Sequence, residues 1–221
     1  MKQDYTHITI VLDRSGSMAS VREDTIGGFN SFLGQHQLAP GKCTLTLVQF
    51  DDHYEVVRSF QPVGAVSQLD HQTFEPRGST ALLGAIGKAI DDTGAALLAT
   101  SECERPAKVL FVIITDGGEN ASRHAAWAKD KTKEAVLSKI KHQTDSYKWE
   151  FVYIGANQDA FAEGGGIGIS ASNIMNYTAN HHGTQALYAS MADKSLMYRS
   201  GELRSCAFDA GDLKAQADAA K

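Results

Sequence analysis

The chain has 221 residues, 43% hydrophobic and 21% charged, the balance of a soluble globular protein long enough to bury a substantial core. A formal net charge of −5 offers no electrostatic support for binding nucleic acid or an anionic membrane. No stretch approaches the roughly 18–20 apolar residues that a membrane span requires.

In chain order, the N-terminal MKQDYTHITIVLD lacks the apolar core and cleavage site of a secretory signal. Ile8, Ile10, Val11 and Leu12 form a run rich in β-branched residues that predicts a buried parallel strand. The run stops at Asp13, and Ser15 and Ser17 follow around Gly16, which permits a tight turn. One carboxylate and two hydroxyls within five residues are hard oxygen donors, suited to Mg²⁺, Mn²⁺ or Ca²⁺ rather than zinc. The same residues would equally serve a strand-to-helix turn with Ser or Asp as N-cap.

Helical spacing of Val21, Ile26, Phe29 and Leu33 predicts a helix over 20–36, and its Gly27-Gly28 pair suggests close packing against the sheet. After the Pro40-Gly41 turn, 43–50 and 54–60 read as a strand hairpin with an antiparallel edge strand. Asp51-Asp52 between them reads as a solvated turn rather than a metal ligand pair. A polar connection over 64–76 leads to a helix over 80–98, with Thr80 placed to cap it. A charged loop over 102–106 precedes a second apolar run, Val109 to Thr115, that ends in Asp116 and a Gly-Gly turn.

Residues 130–142 read as a helix, and the lysines between 129 and 141 as its solvated face, with a partner surface as the lesser alternative. A strand over 149–155, a short helix at 160–162 closed by Gly164-Gly165-Gly166, a strand over 173–177 and a helix over 184–198 complete the pattern. Residues 201–221 read as a frayed helix or a tail. Strands alternating with helices define an α/β fold with a mostly parallel sheet. In such sheets the loops beyond the strands' carboxyl ends share one crevice. Those loops offer Asp13, Ser15, Ser17, Thr80 and Asp116.

Other chemistries find no support. Gly87-Lys88 is followed by Ala89 and lacks the upstream glycine of a P-loop. The G-x-G-x-x-A match at 166–171 does not follow directly on a strand, and neither H-E-x-x-H nor G-x-S-x-G occurs. Cys43, Cys103 and Cys206 show no CxxC, so reduced thiols in the cytoplasm are expected.

Taken together and in order, DRSGSM, GSTAL and TDGGEN resemble the D-x-S-x-S, threonine and aspartate parts of the metal-ion-dependent adhesion site of von Willebrand factor A domains. The resemblance spans roughly residues 5–200. It implies a doubly wound, Rossmann-like domain over 1–200 with a tail over 201–221. The sheet would have six mostly parallel strands in the order 3-2-1-4-5-6, strand 3 antiparallel and helices on both faces.

The resemblance further implies that Ser15, Ser17 and Thr80 coordinate the ion through hydroxyls. Asp13 and Asp116 would reach it directly or through water, and Glu119 and Asn120, close by, would orient waters or the groups behind the ligands. Mg²⁺ is the expected ion, with Mn²⁺ or Ca²⁺ as alternatives. Two carboxylates among five groups underfill a divalent ion that prefers six oxygens, leaving a position for an Asp or Glu carboxylate of a protein partner. Thr80, in a separate loop, would engage or release the ion as that loop shifts. Stand-alone intracellular relatives in bacteria and phages imply a cytoplasmic, non-catalytic binding module. One departure stands out: many relatives carry an acidic residue where this chain has Gly84. The enzymatic alternative is a phosphohydrolase of the haloacid dehalogenase type, which also uses a strand-end Asp with Mg²⁺. Its general acid two residues later is replaced here by Ser15. A scaffold with a structural metal is the third reading.

Overall fold

The computed structural model describes residues 1–156 and 159–220. Six strands, β1 (Lys2–Asp13), β2 (Lys42–Phe50), β3 (Tyr54–Pro62), β4 (Pro106–Thr115), β5 (Glu150–Ala156) and β6 (Ile174–Tyr177), form one sheet in the order β3-β2-β1-β4-β5-β6. All neighbours pair parallel except β2 and β3, whose short Asp51–His53 connection allows only a hairpin. The helices are α1 (Arg22–Leu38), α2 (Leu82–Ala99), α3 (Lys133–Tyr147), α4 (Ala160–Gly166), α5 (His181–Ser200) and α6 (Ala210–Ala219).

β1 is buried from Tyr5 to Asp13, because helices cover both of its faces. Ile8, Ile10 and Leu12 join Phe29 and Leu33 of α1 and Leu187 and Met191 of α5 in one core layer. On the other face Val11 meets Ile86 and Ile90 of α2, in a layer shared with Val136 and Ile140 of α3. His7 and Thr9 also alternate onto this second face, and their polar atoms pair with Thr44 and Thr93. Period-2 alternation along one strand therefore feeds two cores.

Two details differ from the sequence reading. Gly28, not the pair, is needed for close approach, and its neighbour is α5 rather than the sheet. A Cβ there would lie 2.1 Å from the Tyr188 ring, whereas one on Gly27 would meet nothing within 4 Å. The segment after Ser200 is folded: Cys206 and Phe208 enter the first core layer, and a capping box formed by Asp209 and Asp212 opens α6. Buried Gln216 then ties α6 to the β6–α5 connection, donating to Gly183 O (3.0 Å) and accepting from Thr178 N (3.3 Å).

Candidate metal centre

Chain order runs outward from β1 in both directions along the sheet, so the strand order reverses between β1 and β4. The crevice beyond the carboxyl ends of an open α/β sheet lies at this switch point. Leu12 pairs with Ile114, a register that brings Asp13 level with Thr115 and places Asp116 one residue beyond as the two strands end.

The Asp13 carboxylate is fully buried and held at both oxygens. Ser15 N–H donates to Oδ1 and the Thr115 hydroxyl to Oδ2, each at 2.6 Å. Burial pushes its pKa up to about 6, against the lowering effect of those hydrogen bonds, and the neighbouring Asp116 charge adds to the rise. Burial also raises the pKa of Asp116, with the Ser17 hydroxyl working against it. Ser17 Oγ donates to Asp116 Oδ1 (2.6 Å) and lies 3.2 Å from Ser15 Oγ. Asp116 Oδ2 is buried with no hydrogen-bond partner among the described residues. The Thr80 hydroxyl closes the set: a Cβ placed on Gly117 would lie 3.5 Å from both Thr80 Oγ1 and Ser17 Oγ. The structure thus brings all five sequence-predicted residues around one small volume.

That volume suits a hard cation. It is lined by oxygens, contains two carboxylates whose burial disfavours their charge, and leaves one carboxylate oxygen without a donor. A divalent ion would supply the missing counter-charge.

The roles of the surrounding residues follow expectation only in part. Thr80 does not cap α2. The N-cap is Ala81, with no side-chain cap bond. Glu119 and Asn120 take the second of their two expected roles, orienting the groups around the site by holding its loops. Asn120 Oδ1 accepts from Thr80 N (2.8 Å), and Thr80 O accepts from Asn120 N (3.0 Å) and Ala121 N (3.1 Å). Glu119 Oε2 accepts from Leu83 N (2.7 Å) and the Ser122 hydroxyl, while Oε1 accepts from Ala121 N and Ser122 N. The first loop is laced in as well, through Gly16 N to Gly78 O (3.2 Å) and Arg77 N to Arg14 O (2.8 Å). Thr80 therefore belongs to one hydrogen-bonded body with Asp116, not to a loop that shifts alone. Gly84 has a steric reason: a Cβ there would stand 2.5 Å from Ala128 Cβ and 3.2 Å from the Trp127 ring.

Asp51, read from sequence as solvated, is fully buried. Its Oδ2 accepts from Arg14 Nε and Arg77 Nε, both at 3.0 Å, and its Oδ1 from His53 N (2.5 Å). Burial raises its pKa, but the His53 N–H and the Arg77 and Arg14 guanidinium groups outweigh this and hold it below the ordinary value. Asp51, Asp52 and His53 cluster closely enough to suggest a second cation site. With two guanidinium groups already on Asp51, the cluster is instead an ion-pair hub that anchors the first and Thr80 loops. Thr115 was also missed, although it follows once β1 and β4 are paired.

No protein-family model and no curated protein sequence matches the chain. Solved structures do match in fold. One is proximal thread matrix protein 1 from the mussel byssus with a zinc-occupied MIDAS motif (TM-score 0.58, 14% identity, covering 87% of this chain and 46% of that one). Another is the vWF domain of the pilus tip protein Mfa5 from Porphyromonas gingivalis (TM-score 0.60, 10% identity, 88% and 96%). A third is manganese-loaded TRAP of Plasmodium vivax (TM-score 0.56, 16% identity, 80% and 70%). The chain spans about half the length of the mussel protein. Sheet order, the one antiparallel strand and these similarities establish the fold of a von Willebrand factor A domain.

Proposed function

We propose that the protein is a divalent-metal-dependent binding module that captures a carboxylate of a protein partner and performs no turnover. The observation that carries this reading is the buried Asp116 Oδ2, without a hydrogen-bond partner among the described residues, within an all-oxygen cluster. Asp13, Ser15, Ser17, Thr80 and Asp116 would hold the ion, Mg²⁺ in the first instance, with Mn²⁺ or Ca²⁺ as substitutes. The bound ion would supply a coordination position for an Asp or Glu side chain. The zinc- and manganese-loaded proteins of the same fold support metal binding as the role of this crevice.

The position two residues after Asp13 carries Ser15, a buried hydroxyl 3.2 Å from Ser17 Oγ, which cannot act as the carboxylic acid a phosphohydrolase would need. Cys43 and Cys206 are buried and Cys103 is exposed, all three unpaired, which supports a reducing, cytoplasmic setting. Among the described residues no helix is long and apolar enough to cross a membrane.

The test is calorimetry on chelator-stripped protein. Mg²⁺ or Mn²⁺ should give a binding isotherm that Asp13→Ala abolishes, and a partner captured from native lysate should be released by EDTA. Retained binding in Asp13→Ala would move the metal elsewhere. Hydrolysis of p-nitrophenyl phosphate that disappears in Asp13→Asn would make the protein an enzyme.

A further inference from the structure

A chain with net charge −5 concentrates basic residues immediately beyond Asp116. Gly118, Glu119 and Asn120, with Leu83 of α2, border a groove of about 750 Å³, whose other side is lined by Arg123, His124, Lys131 and Lys133. The Arg123 guanidinium is exposed and has no hydrogen bond or ion pair among the described residues. Among the described residues the Lys131 ammonium meets only the Arg123 carbonyl oxygen (3.2 Å).

The acids nearby do not pair with these two cations. Glu119 keeps its charge, but three backbone N–H groups and the Ser122 hydroxyl occupy its oxygens. Glu163 pairs with Lys133 (2.9 Å). Asp130 packs against Gly87 and pairs with Lys139 (2.8 Å). Glu134, exposed in the first turn of α3, is the one remaining acid on the groove, and the positive end of that helix opens beside it. Two cations without an ion-pair partner, in a concave surface whose edge at Gly118 is two residues beyond Asp116, are free to pair with acidic side chains.

We infer that this groove receives a second acidic side chain of the segment whose first carboxylate completes the metal site. The partner is then a protein stretch carrying several acidic residues, not a single exposed Asp or Glu. Arg123 suits the task because its planar fork matches a carboxylate with two parallel hydrogen bonds, and Lys131 adds a mobile charge. This inference rests on the proposed metal-dependent capture, which fixes the first carboxylate and so raises the effective concentration of the second.

Fluorescence anisotropy with two labelled peptides tests it, one a Gly-Ser chain with a single Asp and the other the same chain with three further acidic residues. In Mg²⁺, the multi-acid peptide should bind wild type about tenfold more tightly than the single-acid peptide, as expected for two partly exposed ion pairs. The double variant Arg123→Glu/Lys131→Glu, and the milder Arg123→Gln/Lys131→Gln, should erase that preference. Both should leave the Mg²⁺ isotherm and the affinity for the single-acid peptide unchanged. Equal affinity of wild type for the two peptides, or a preference that survives both variants, overturns the inference while leaving the metal site standing. Failure of the metal reading looks different: no Mg²⁺ isotherm, and peptide binding indifferent to EDTA.

Discussion

Replacing Asp13 with Asn should make the metal-free protein more stable at neutral pH while abolishing its response to Mg²⁺. The Asp13 carboxyl titrates at about 6 in the folded chain against an ordinary 3.8. That gap corresponds to about 3 kcal/mol at roughly 1.4 kcal/mol per pH unit. The sign follows from proton binding. Between 3.8 and about 6 the folded state holds the proton and the unfolded state has released it, so stability falls as pH rises through this window and stays low above it.

Asn carries no charge to desolvate and can keep both contacts. Its oxygen accepts from Ser15 N–H, and its amide donates to Thr115 Oγ1. The Thr115 hydroxyl, freed from Asp13, can donate to Gly117 O at 2.9 Å instead. Chelator-stripped Asp13→Asn should therefore exceed wild type by about 1–3 kcal/mol at pH 7.5, or a few to about ten degrees in Tm for a chain of this size. The two should converge near pH 4. Magnesium at a hundred times its Kd should raise wild type by about 2.7 kcal/mol and leave the variant unmoved. Urea denaturation from pH 4 to 8, with and without Mg²⁺, measures all three quantities. A metal-free variant less stable than wild type at pH 7.5, or a stability difference independent of pH, would refute the reasoning.

Thr80→Ala should weaken Mg²⁺ binding in calorimetry while costing the metal-free protein only about 1 kcal/mol, because Ala81 rather than Thr80 caps α2. Asp51→Ala should cost about 3–5 kcal/mol in urea denaturation, since it strips a buried carboxylate from the nearly buried Arg14 side chain. Arg77→Ala, removing a half-exposed partner of the same carboxylate, should cost less than about 1 kcal/mol by the same measurement. Gln216→Ala should leave Thr178 N–H without its acceptor and take a second donor from Gly183 O, costing about 1–3 kcal/mol and speeding amide exchange through α6.

The sheet was legible because its signals are local. Apolar runs of strand length ending at Asp13 and Thr115, and helical spacing between them, suffice to define an alternating α/β order. The five candidate ligands were legible because each closes or follows such an element. What surrounds them was not. Asp51 sits in a turn whose composition reads as solvated, and only the arrival of Arg14 and Arg77 from two other segments buries it. Thr80 precedes a helix and has the residue type of an N-cap, yet the bonds from Asn120 and Ala121 place the helix start one residue later. Gln216 gives no sequence signal at all, since its partners lie more than thirty residues away. Local periodicity reports which face a residue occupies, whereas pairing across loops depends on contacts that no window of sequence contains.

Those cross-loop bonds bear on how the site would work. Six backbone and side-chain hydrogen bonds tie the residues around Thr80 to those that follow Asp116 and Asp13, so these loops resist separate motion. A cation arriving here would find its oxygens already in place and would lose little to loop ordering. The corresponding cost is carried by the metal-free fold, as two buried carboxylates with raised pKa values and one oxygen lacking a donor. Binding relieves that electrostatic strain directly, without a conformational change to drive. Such a site should answer to metal and partner concentration rather than to loop rearrangement, and hydrogen exchange across 14–18, 77–83 and 116–122 should slow together, as one unit, when Mg²⁺ is added. Slowing confined to one of the three segments would show that the loops move independently and that the lacing is broken in solution.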